Sequence, residues 1–198
     1  VTATPASESF CSGGTTAIQL SSTVPGAQFS WTVSAANSTG FSASNGGSST
    51  INQTLTLNAG ATEADEITYT ITATVNGCSS EPILVVVTIN PSPDVIITPD
   101  DITICNGATT DIPLTSSVTG VAFDWTIISS VGVNGASNGN GTNISQTLTV
   151  SGLAAGTVVY EVTPRLNGCA GVPKTVTVRV NLTPESFPTA THPEICTN

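Results

Sequence analysis

The chain carries 5 cysteines, 1 histidine and 13 carboxylates, and these set the chemistry open to it. Cys11, Cys78, Cys105, Cys169 and Cys196 contain no CxxC pair, so the usual spacing of a zinc site is missing. His192, in "ATHPE", has no second histidine or neighbouring thiol with which to build a metal or acyl-transfer pair. Serines are plentiful, but no GxSxG elbow presents one as a nucleophile. The clustered carboxylates are Glu63, Asp65 and Glu66 before one strand, and Asp100 and Asp101 before another. Paired carboxylates at a domain junction can hold Ca²⁺, which makes Asp100 and Asp101 the candidate metal ligands, although no spaced DxDxDG loop occurs. A glycosidase pair needs a cleft framed by aromatics; aromatics are only 5% here and are patterned for a core. The expectation is a non-enzyme with no resident cofactor, Ca²⁺ being the one ion to consider. Disulfide formation is the chemistry that suits these cysteines.

Composition limits the partners. Charged residues are 8% of the chain, against roughly 25% in an average domain, and the net charge is −10. Arg165, Lys174 and Arg179 are the only basic side chains, so the clustered cations that nucleic acid requires are lacking. No run approaches the ~18 apolar residues of a membrane helix. Without an initiator Met or a signal peptide, the chain is expected to be an internal or processed piece of a longer protein.

The elements that must position the cysteines come in duplicate. "FCSGGTTAIQL" (10–20) returns as "ICNGATTDIPL" (104–114), and "AQFSWTV" (27–33) as "VAFDWTI" (121–127). "INQTLTL" (51–57) returns as "ISQTLTV" (144–150), and "ITYTITATVNGC" (67–78) as "VVYEVTPRLNGC" (158–169). "PEICTN" (193–198) begins the motif a third time. The expected organisation is a first repeat over 1–91, a second over 92–182, and a linker with the start of a third over 183–198. Each repeat has one cysteine near its start and one in "NGC" near its end. Respecting the repeat predicts the pairs Cys11–Cys78 and Cys105–Cys169, with Cys196 left unpaired by truncation. Disulfides imply an oxidising compartment.

Within a repeat, hydrophobic residues alternate with polar ones, the period of a half-buried strand. Phe29 and Trp31 share an inward face, as do Phe123 and Trp125 in the second copy; Tyr69 and Tyr160 sit in the next strong strand. These six are the predicted core aromatics. Pro164, where the first repeat has Ala73, cannot donate to a ladder and predicts an edge strand or a bulge. Gln53 and Gln146 recur on the parity of inward residues, so they need hydrogen-bond partners and are read as structural clamps or bulge markers. Several short strands in ~90 residues, separated by Gly, Asn and Ser clusters, predict an all-β fold. Its form is tandem antiparallel β-sandwiches of immunoglobulin-like type in a linear array. The longest loops, 36–50 and 129–143, are small and polar, suited to weak contacts multiplied by avidity. "NPSPD" and "NLTPE" are short, semi-rigid linkers.

With "ICNG", "FDW", "QTLT" and "NGC" in this order, the chain resembles the cysteine-bearing, PKD-like repeats of giant Bacteroidetes cell-surface proteins, among them the gliding-motility adhesins. The resemblance implies type IX secretion, an extracellular location on the bacterial surface, and a filament role in attachment or gliding. Its expected partners are neighbouring repeats of the same chain and a surface polysaccharide or other substratum. The second expectation, from another functional class, is a pair of carbohydrate-binding or spacer modules of a secreted multidomain hydrolase.

Overall fold

The computed structural model describes residues 1–44 and 46–184. These form two all-β domains in tandem, each with its own core and no helix. β-Branched residues account for this choice: Thr, Val and Ile lose little on a pleated surface and crowd a helix. In the first domain one sheet orders Ser7–Cys11, Ile83–Asn90, Asp65–Val75 and Gln28–Ser34. It faces a smaller sheet of Thr2–Thr4, Ile18–Ser21 and Thr50–Ile51. The second domain repeats this with Asp101–Cys105, Lys174–Asn181, Gly156–Leu166 and Ala122–Val131 opposite Ile96–Ile97, Ile112–Thr115 and Asn143–Ile144. Ladders are antiparallel except for the first strand of each large sheet, which runs parallel to the last.

Alternation decides which side chains meet. Along Asp65–Val75, Ile67, Tyr69 and Ile71 are fully buried while the residues between them face outward. Each such side chain contributes about 1.5–3 kcal/mol by leaving water. Phe29, Trp31, Phe123, Trp125 and Tyr160 are likewise buried.

The register overturns the expected cysteine pairs. Cys11 pairs with Asn90, next to Ile89, which stands opposite Asp65 at the start of the long strand. Cys78 follows the turn at the far end of that strand, opposite Val75. Ten residues of strand span about 34 Å, whereas a disulfide needs Cα atoms within about 7 Å. Cys11–Cys78 is therefore sterically excluded. Cys105–Cys169 fails in the same way: Cys105 aligns with Asn181 at one end of its sandwich and Cys169 with Leu166 at the other. The bond that forms is Cys11–Cys169, between domains.

Pro164 also differs from expectation. Gly156–Leu166 is a central strand, and the ladder it makes with Lys174–Asn181 ends at Val162. Pro164 lies just past that end, where no ladder N–H is needed. Ala73, its counterpart, donates its N–H to the Ser80 hydroxyl (3.1 Å), and Ser80 is matched by Gly171, which has no hydroxyl. Donor and acceptor have disappeared together. Cys196 and His192 lie outside the described residues.

Candidate functional site at the domain junction

The junction is built from two strand ends and one hairpin turn. Leu166 and Cys169 flank a two-residue turn, Asn167 (φ 48°) and Gly168 (φ 81°). Positive φ at both positions marks the primed type I turn that Asn-Gly favours, because it follows the right-handed strand twist. The turn carries Cys169 to the end of the second domain, where it meets Cys11 with a Cα–Cα distance of 5.6 Å. Cys169 is only 1% exposed.

Polar contacts fix the orientation around the bond. Asn167 Nδ2 donates to Asn90 Oδ1 at 3.1 Å, and Asn90 Nδ2 in turn donates to Ser9 Oγ at 3.0 Å. Asn90 is buried, so these bonds satisfy an amide that water cannot reach. On another side Thr119 Oγ1 donates to Glu63 Oε1 at 3.3 Å. Pro91 and Pro93 of the linker are buried, and a Cβ on Gly171 would overlap the Pro93 carbonyl oxygen. The glycine is what lets the linker lie flat. Asp94 closes the linker by accepting from the Ser116 hydroxyl and from the Ser117 N–H (2.9 Å) and hydroxyl (3.0 Å). The Ser116 bond foremost, with those from Ser117, outweighs the opposing effect of burial and holds the Asp94 carboxyl below its usual range. Together these groups can transmit force and hold an angle.

A second constellation recurs inside each domain. The Gln53 side chain accepts from Tyr69 Oη (2.8 Å) and from the Ser42 N–H (3.1 Å), and donates to the Ser42 carbonyl (2.8 Å). Trp31 Nε1 donates to that same carbonyl at 3.0 Å. In the second domain Gln146, Tyr160, Ser137 and Trp125 make the same four contacts, at 2.8, 2.9, 2.7 and 3.2 Å. The clamp pins each long loop to its core, and both indoles are buried, although Trp31 also lines an open depression of about 370 Å³. None of the described aromatic residues is exposed. Burial raises both tyrosine pKa values to about 12, with the Glu8 charge adding to the effect at Tyr69.

The carboxylates do not converge. Among the described residues no three His, Cys, Asp or Glu side chains gather to hold a metal. Asp100 and Asp101 are exposed, and Asp100 lines a depression of about 420 Å³ together with Lys174, whose positive charge opposes a cation. Asp65 turns inward and accepts from the Asn37 N–H (2.8 Å) and the Ser38 hydroxyl (2.7 Å). Burial would raise its pKa, but hydrogen bonds from the Ser38 side chain and from the backbone of Asn37, Ala36 and Glu66 together hold the carboxyl lower than usual. Sequence reasoning missed Asn90, Asn167, Gly171 and the Glu63–Thr119 contact. The signal that could have found the junction is the NGC turn, which sends its cysteine to the end opposite the first cysteine.

Two stretches, 8–93 and 102–185, match the model of the PKD-like domain. The chain belongs to that family. No curated protein matches it. Among solved structures, it is similar to protocadherin gamma B2 extracellular cadherin domains 3–6 (10% identity, TM-score 0.47), covering 92% of this chain and 52% of that one, so it spans about half of the cadherin's length. It is also similar to the fibronectin(III)-like modules of Clostridium thermocellum CbhA (15% identity, TM-score 0.35), over 96% of this chain and 97% of that one. A third is the D00–D0 domain of intimin (16% identity, TM-score 0.39), over 85% and 93%.

Proposed function

We propose that this chain is a stalk segment of a large, repetitive cell-surface adhesin, carried outside a bacterial cell and serving attachment or gliding by reach and repetition. The observation that carries the reading is the Cys11–Cys169 bond, which joins two PKD-like domains that the polypeptide already connects. A second covalent link between domains adds nothing to either core; it removes the freedom of one domain to swing on the other. That property serves a rod. The disulfide requires an oxidising compartment, in keeping with an extracellular place. The pinned polar loops offer weak contacts whose strength would come from many copies acting together.

Beads displaying the chain at graded density, flowed over polysaccharide-coated and bare glass, test the adhesive half. Retention that rises steeply with density is expected. Absence of retention at every density would leave only the spacer role.

A further inference from the structure

The two ends of this pair are unequal copies of the surfaces that meet in its middle. Cys169 is buried at the junction, whereas its counterpart Cys78 is exposed. Val118 is 6% exposed; Val24, at the same repeat position, is 52% exposed. Val24, Cys78, Val75, Asn76 and Ser80 line an open depression of about 400 Å³ at the free end of the first domain. At the opposite end of the pair, Cys105 and Asn181 stand in register as Cys11 and Asn90 do. The cysteines and the amide pair of the observed junction are thus present again: Asn76 for Asn167, Asn181 for Asn90 (its Oδ1 accepting from Arg179 Nε at 3.3 Å), and the thiols of Cys78 and Cys105, free among the described residues. The Thr119–Glu63 contact is not repeated, because Pro25 stands at the position of Thr119.

We propose that the Cys78 face of the first domain is a docking site for the Cys105-type end of a preceding repeat of the same kind. The contact is sealed by a disulfide, so that each repeat is bonded to the next throughout an array. The interface is heterologous and does not close, so it propagates in one direction. The seal forms by exchange with a disulfide donor. One thiolate attacks the donor and makes a mixed disulfide, and the second thiolate displaces it. The two cysteines lose two electrons and two protons, and the donor leaves as two thiols. Ser80 stands where the junction has Gly171, so an incoming linker must stand off there by a hydroxymethyl group. This inference deepens the stalk reading and rests on its rod-forming half alone. A failed adhesion assay leaves it standing, and its own failure leaves adhesion standing.

The test extends the full chain at its start with a second copy of residues 1–94. That copy carries Ser7→Thr as a mass tag and Cys78→Ser, and Cys196→Ser removes the last thiol. The extended chain is folded with oxidised glutathione, alkylated and mapped without reduction. The expected result is Cys78 joined to the tagged Cys11 alongside the native Cys11–Cys169 bond. A parallel chain with Ser80→Gly removes the one steric difference from the observed junction. Cys78 recovered alkylated in both chains, or joined to the untagged Cys11, overturns the proposal.

Discussion

Tyr69 and Tyr160 are the only tyrosines of the chain, and each spends its hydroxyl on the glutamine that holds a long loop. Because the folded pKa of each is raised to about 12 from 10, their contribution to stability is complete below pH 10 and is lost as pH climbs toward 12. A titration of tyrosinate absorbance should show one late rise near the unfolding transition, with none near pH 10. Replacing Gln146 by Leu leaves the Ser137 groups and the tyrosine hydroxyl short of partners and should cost about 1–3 kcal/mol, read from denaturant midpoints. Asp65 gives the opposite pH sign. Its depressed pKa stabilises the first domain above the ordinary carboxyl range, and that contribution fades as pH falls through the folded value. Asp65→Asn should flatten the acid limb for the first domain only, because the second has Gly156 there.

At the scale of elements, the turn Asn167–Gly168 and the flat seat at Gly171 decide whether Cys169 reaches Cys11. Gly168→Ala puts a Cβ on a left-handed residue and should cost about 1 kcal/mol, with a slower appearance of the Cys11–Cys169 bond during oxidative folding. Gly171→Val drives a side chain into the Pro93 carbonyl and should leave both cores intact while widening the interdomain distance distribution in scattering. Strands and core aromatics were legible in the sequence because they follow from period two and from repetition; the glutamines were legible as a recurring pair, but not which of two roles, clamp or bulge marker, they fill. The cysteine pairing was not. Repetition says which cysteines are equivalent but cannot distinguish a bond within a repeat from one between successive repeats; only the strand of about 34 Å that separates Cys11 from Cys78 does that. Pro164 misled for a related reason. A proline missing a donor reads as an edge, yet the fold had already withdrawn the ladder partner at that position.

For the whole molecule, the account is of two self-sufficient sandwiches held end to end by a disulfide, one amide pair and a short proline linker. The cores share no buried residue, so Cys11→Ser should leave the melting of each domain little changed and release mainly their relative orientation. The most direct test of that picture is the disulfide map of the native chain, alkylated before denaturation and digested without reduction. The account predicts a single Cys11–Cys169 link with Cys78 and Cys105 recovered alkylated. A Cys11–Cys78 or Cys105–Cys169 link would contradict it.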